Sequence, residues 1–140
     1  MSDFNAQVIA DFREHHGRVG GQFEGAPMLL LHHIGRSSGK RHVAPMMYLA
    51  DESDPATVYV FASRGGAPTN PDWYLNAVAA GSAAIEIGDE NVAVSVCDLP
   101  EPERTTVFDR QKALYPGFAD YEAKTAGIRT IPVLALTRQS

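Results

Sequence analysis

Met28-Leu29-Leu30-Leu31-His32-His33-Ile34, then Gly35-Arg36-Ser37-Ser38-Gly39-Lys40-Arg41, then His42-Val43-Ala44-Pro45-Met46-Met47-Tyr48-Leu49-Ala50: the fold turns on this stretch. Its first seven residues are bounded by Pro27 and Gly35 and read as a strand. A second strand runs from about His42 to Ala50 after the turn-like Arg36 to Gly39, so the two make a hairpin. Downstream, Thr57 to Ser63 carries Val58-Tyr59-Val60-Phe61, β-branched and aromatic side chains that suit a pleated, half-buried surface. Upstream, Phe4, Val8 and Phe12 recur every four residues beside Ile9, which predicts an amphipathic helix over 3–15 ended by Gly17, Gly20 and Gly21.

The rest of the chain extends this pattern. Asn70 is placed to cap a helix, with Pro71 at its first position and Asp72 near the positive end of its dipole. Gly81 stops that helix. Ala83 to Ile87 and Val92 to Val96 flank Gly88-Asp89-Glu90-Asn91 as a second hairpin. Pro100 and Pro102 open a charged helix over 103–114, a further helical piece follows over 118–124, and Ile131 to Leu136 forms a closing strand. This order does not alternate as a parallel βαβ fold would. It predicts a mainly β (α+β) single domain over 1–140, a small antiparallel barrel with peripheral helices.

The 140 residues, 44% hydrophobic and 21% charged, suffice for one core and crowd a second. The lone Cys97 leaves no intramolecular disulfide and no cysteine metal site, which fits a reducing cytoplasm. No secretory leader pattern opens the chain, and the longest apolar run, Ala26 to Leu31, is far short of the ~20 residues of a membrane span. A net charge of −5 argues against nucleic acid. Between Arg18 and Arg104 the only cations are Arg36, Lys40, Arg41 and Arg64, and no acidic residue occurs from Gly25 to Ala50. Such an island attracts a small anion while the acidic surroundings discourage longer polyanions.

Gly35 to Arg41 combines two glycines, two hydroxyls and three cations in seven residues. Glycine admits close backbone approach, arginine offers a forked donor and lysine a point charge, so the segment suits phosphate or carboxylate. It is neither a Walker A loop nor a dinucleotide fingerprint. On composition alone a solvated turn explains it equally well. Ser63-Arg64-Gly65-Gly66-Ala67-Pro68 follows a strong strand, and its paired glycines let a flat ring lie near the backbone. Taken singly it too can be a plain loop, but Arg64 points to a partner shared with the first segment. Asn70, Trp73, Tyr74 and Asn76 fall in two helical turns; Trp73 reads as core or pocket wall. Tyr121, Tyr48 and Tyr74 each read, taken singly, as a tyrosine half-buried at a barrel edge or as a phenol offered to a substrate oxygen, Tyr121 first. The five histidines show no zinc pattern, and His32 and His33 point to opposite strand faces, so no metal is expected. No nucleophile elbow is present, and Cys97 reads as a small core residue.

Taken together, Leu29-Leu30-Leu31 running into Ile34-Gly35-Arg36-Ser37-Ser38-Gly39, then Pro45, Ala62 to Pro68, Asn70-Pro71, Trp73-Tyr74 and Asn76 resemble the deazaflavin-dependent nitroreductase family. Tyr115-Pro116, Tyr121, Lys124-Thr125, Arg129 and Ile131-Pro132-Val133 extend the resemblance over nearly the whole chain from Gly20. It implies a split β-barrel of the kind that binds flavin mononucleotide (FMN), here holding coenzyme F-420, an 8-hydroxy-5-deazaflavin with a phosphate and a glutamate tail. It also implies that Arg36, Ser37, Ser38, Gly39, Lys40 and Arg41 meet the phosphate and tail. Pro45, Met46, Ser63, Arg64, Gly65, Gly66, Ala67, Asn70, Trp73 and Asn76 then surround the rest of the coenzyme. Hydride would pass to a quinone, nitroaromatic or activated alkene, with Tyr121, Tyr48 and Ser63 on the catalytic side and Tyr74 packed beside Trp73. The protein supplies orientation and electrostatics. The alternatives are an FMN enzyme on the same barrel and a non-catalytic carrier of deazaflavin, haem or lipid. The expected assembly is a monomer or homodimer, without membrane span; Arg13, Glu14 and two histidines in the first helix argue against peripheral membrane contact without excluding it.

Overall fold

A computed structural model describes residues 3–20 and 26–139. Helix α1 spans Asp3–Glu14, followed by strands β1 (Met28–Ile34), β2 (Arg41–Met47), β3 (Leu49–Ala50) and β4 (Thr57–Phe61). Helix α2 (Asp72–Ala80), the hairpin β5 (Ser82–Ile87) and β6 (Glu90–Asp98), helices α3 (Glu103–Leu114) and α4 (Gly117–Thr125), and strand β7 (Val133–Arg138) complete it. All strands join one seven-stranded sheet, ordered β2-β1-β5-β6-β7-β4-β3, and every pairing is antiparallel. The two edge strands, β2 and β3, are separated in the chain by Tyr48 alone, and β2 also touches β4. The sheet therefore curls round on itself, and the expected antiparallel barrel with peripheral helices is what forms.

The triple leucine explains its own placement. Leu29 and Leu31 point into the barrel with Val60, Ile85, Val94, Leu134 and Leu136, whereas Met28 and Leu30 point outward against Val8, Ile9 and Phe12 of α1. All three leucines are fully buried because α1 covers the outer face of β1. Each such burial contributes about 1.5–3 kcal/mol. A third cluster lies under α3 and α4, where Phe61, Phe108 and Phe118 meet edge to face at centroid distances of 5.6–6.3 Å.

Several expected boundaries shift. The single strand expected over His42 to Ala50 is broken at Tyr48, where the chain passes from one sheet edge to the other. The third strand ends at Phe61 rather than Ser63, because residues 64–66 close a single 3-10 turn with Arg64 at φ 47°. Asn70 does not cap α2: Pro71 holds that position, and the Asn70 amide oxygen accepts instead from Arg129. The closing strand begins at Val133, two residues late, and runs to Arg138 in register with β4 and β6. Cys97 is exposed rather than in the core. Gly17 does end α1, at φ +97°, where the chain presses onto the backbone of Gly88. Gly21 and the side chain of Phe4 lie outside the described residues.

Candidate functional site

The hairpin register builds one side of the site. Ile34 pairs with Arg41 and His33 with His42, so residues 35–40 form the turn, closed by Gly35 N–H to Lys40 O at 2.8 Å and Gly39 N–H to Gly35 O at 2.9 Å. Gly39 sits at φ +71°, a left-handed conformation that a β-carbon disfavours. The hydroxyl of Ser38 accepts the backbone N–H of Lys40. The first two turns of α2 provide the facing side, presenting Asp72, Trp73 and Asn76. Ala6, Ile9, Ala10 and Arg13 of α1, spaced as one helical face, supply the third. Together these elements enclose an open cleft of about 920 Å³.

The cleft has a charged part and an apolar part. Arg36, Ser37, Ser38 and Arg41 line it beside Trp73, Ile9, Val43 and Ala44. Among the described residues, Lys40 and Arg41 form no salt bridge, and Arg36 reaches only the exposed Asp72 carboxylate at 3.7 Å. Arg36 is held otherwise: its backbone N–H and its Nη1 both donate to Asn76 Oδ1, at 3.1 and 2.8 Å. Asn76 is buried, and its Nδ2 lies 2.9 Å from His33 Nδ1. His33 stacks on His42 with ring centroids 5.2 Å apart. Burial pushes the His33 pKa below the ordinary histidine value, and the neighbouring His42 pushes the same way. On the opposite face of β1, His32 lies 2.6 Å from Glu86, which also takes both donors of the Arg13 guanidinium fork. That pairing ties α1 to β5 and lowers the Glu86 pKa.

Of the residues singled out in the sequence, the cleft gathers Arg36, Ser37, Ser38, Arg41, Trp73 and Asn76. Lys40 and Gly39 belong to the same turn without lining it, and Pro45 and Met46 lie further along β2, opposite Leu30 and Leu29. The second segment stands apart. Arg64 donates to Thr69 and does not line the cleft, and Gly66 packs on Lys124. The carbonyls of Ala62, Ser63 and Ala67 and the side chain of Asn70 are all drawn onto one guanidinium, that of Arg129. Tyr121 packs edge-on against Phe118 in the cluster beneath α3 and α4. Tyr48 is half-buried against the barrel core, and burial raises its phenol pKa. Tyr74 donates its hydroxyl to Asp98 and is pushed up to about 12.

Sequence reading missed His33, His42, Asp72 and the α1 face. The pairing of the two histidines was available by counting outward from the turn. The contact of His33 with Asn76, 43 residues away, had no signal in the spacing.

The F420H(2)-dependent quinone reductase family model matches residues 6–138. The chain is similar to Rv3178 of Mycobacterium tuberculosis (strain ATCC 25618 / H37Rv), provisionally named an F420H(2)-dependent quinone reductase, with 35% identity over 120 residues, 85% of this chain and 97% of that protein. Among solved structures it resembles an F420-H2 dependent reductase, FDR-A, with TM-score 0.67 and 30% identity over 79% of this chain and 93% of that one. It also resembles a chain solved as a domain-swapped dimer, with TM-score 0.69 and 26% identity over 94% and 96%.

Proposed function

This chain belongs to the F420H(2)-dependent quinone reductase family, and from that premise we propose that it moves a hydride from reduced coenzyme F-420 to a quinone, holding the coenzyme's anionic tail in the cleft between the β1–β2 turn, α1 and α2. The observation that carries this reading is the pairing, in one cleft, of Arg36 and Arg41 with the chain's lone tryptophan. A phosphate and glutamate tail needs forked and point-charge donors near accessible backbone; a flat ring needs an apolar or aromatic wall. The residues present fit both needs.

Arg36 and Arg41 bind the tail, with the hydroxyls of Ser37 and Ser38 beside them and Lys40 adding charge from the turn. Gly39 keeps that turn tight. Trp73, Val43 and Ala44 exclude water along the apolar wall, which strengthens the charge interactions next to it. Pro45, Met46 and the segment Ser63 to Ala67 bound the ring side, with Gly66 packed closely on Lys124. Arg129 and Asn70 fix the path of that segment. The coenzyme, when bound, supplies the hydride, so no acid/base triad is required of the protein. Burial raises the pKa of the Tyr48 phenol above its ordinary value. With Tyr121 and Ser63 it is a group we assign to the acceptor's side of the reaction. The acceptor range extends, in this reading, from quinones to nitroaromatics and activated alkenes. The setting is the cytoplasm, the active form a monomer or homodimer, and among the described residues no helix is long and apolar enough to cross a membrane.

Mixing the purified protein with reduced coenzyme F-420 and a panel of quinones and nitroaromatics tests the activity. Reoxidation of the coenzyme that depends on both protein and acceptor is expected. Tight binding without reoxidation by any acceptor would make the protein a carrier and overturn the assignment.

A further inference from the structure

Asn76 does not have its polar atoms free for a ligand. Its Oδ1 accepts both the backbone N–H and the Nη1 of Arg36, and those two donors fix which way the amide faces. The NH₂ group is then turned toward His33 Nδ1 at 2.9 Å. A donor at that distance requires a bare nitrogen, so the His33 proton sits on Nε2 and the ring is neutral. An imidazolium would set N–H against N–H across that contact. An amide flip would aim the NH₂ group at the two Arg36 donors and break both bonds. Protonation of His33 Nδ1 and an Arg36 held through Asn76 are therefore incompatible in this arrangement.

We propose that His33 is a pH-dependent positioning residue for the coenzyme: through Asn76 it holds Arg36 in the cleft while its own ring is neutral, and it releases Arg36 when protonated. This rests on the reading above that the tail lies against Arg36. Charged and titratable groups surround the ring. His42 stacks on it from β2 and Arg41 precedes it on the same strand; Asp72 lies on α2, Arg36 on the turn, His32 on β1 and Arg13 on α1. Burial, His42 and His32 favour the neutral ring and Asp72 opposes them, which keeps the latch closed near neutrality. His42 is exposed and stacks on His33, so the test must separate the two imidazoles.

The affinity of the protein for oxidised coenzyme F-420 is to be titrated between about pH 7.5 and pH 5, across the histidine range. The comparison is between the wild type, His33→Asn, His33→Ala and Arg36→Ala, each also with His42→Gln. Asparagine offers an acceptor near the Nδ1 position and cannot take up a proton. His33→Asn is expected to bind like the wild type near neutrality and to outbind it about tenfold at the acid end, one charged hydrogen-bond interaction. His33→Ala is expected to bind weakly at every pH. In the free protein, imidazole nitrogen shifts should show His33 Nδ1 unprotonated at neutral pH, a readout that needs no coenzyme. A ratio between His33→Asn and the wild type that stays flat with pH, while Arg36→Ala weakens binding, overturns the latch alone; so does a protonated Nδ1. No loss of affinity in Arg36→Ala overturns the reading of the cleft and the latch with it.

Discussion

Arg129 offers the most direct test of how the second segment is held. Its guanidinium donates to Ala67 O at 3.0 Å, Ala62 O at 3.1 Å, Ser63 O at 2.9 Å and Asn70 Oδ1 at 2.8 Å. No carboxylate is among these partners, and burial lowers the Arg129 pKa, with Arg64 adding to the effect. Replacement by methionine keeps the aliphatic stem and removes all four donors. A hydrogen bond to a charged group is worth about 1.5–3 kcal/mol, but the four share one donor group and a freed loop regains water, so we expect a net loss of about 2–3 kcal/mol. For a domain of this size that lowers Tm by roughly 6–12 °C. Arg129→Lys should recover less than half, because one ammonium cannot span four acceptors. Thermal unfolding followed by circular dichroism reads the stability, and hydrogen exchange at residues 62–70 reads the loop. A melt within about 2 °C of wild type, with unchanged protection, would refute the claim that this guanidinium organises the segment.

Other expectations follow from the same geometry. Lys40→Ala combined with Arg41→Ala should weaken coenzyme binding, and more at low than at high salt, since screening already mutes these contacts; a salt-independent affinity shows that the turn is merely solvated. Gly39→Ala places a β-carbon at φ +71° and should cost about 1 kcal/mol of stability, read as a lower Tm, with no steric clash to add. Glu86, its pKa lowered first by Arg13, contributes stability present above the ordinary carboxylate value of 4.5 and lost as pH falls through its folded pKa. Glu86→Gln should therefore be less stable than wild type near neutrality, and the gap in Tm should close in acid; a gap independent of pH removes the ion pair from the account.

The strands were readable because their burial is two-sided or alternating and leaves a mark in the sequence. Leu29, Leu30 and Leu31 form an unbroken apolar run since one face meets the barrel and the other meets α1. The break at Tyr48 was not readable, because a chain that changes sheet edge keeps the same residue preferences on either side. Boundaries slipped where a tertiary partner replaced a local one. Asn70 has the chemistry of a helix cap, but Arg129, 59 residues away, takes its oxygen. The cleft was half legible. Composition marked Gly35 to Arg41, and helix spacing put Trp73 and Asn76 on one stretch of α2. The union of these with α1 depends on packing that no motif encodes. Arg64 shows the limit of reasoning from charge: as the remaining cation of the central stretch it suggested a shared partner, and its side chain instead bonds Thr69 outside the cleft.

Trp73 is the only tryptophan in the chain and lines the cleft, so every change in tryptophan emission comes from a residue of that site. Titrating oxidised coenzyme F-420, with FMN in parallel, while following Trp73 emission and measuring bound coenzyme by equilibrium dialysis is the most direct measurement. Saturable quenching by the deazaflavin that matches its dialysis isotherm, weaker with FMN and weakened again in Arg36→Ala, is the result predicted. Coenzyme that binds by dialysis and leaves Trp73 unchanged, or no coenzyme binding at all, would contradict the placement of the tail in this cleft.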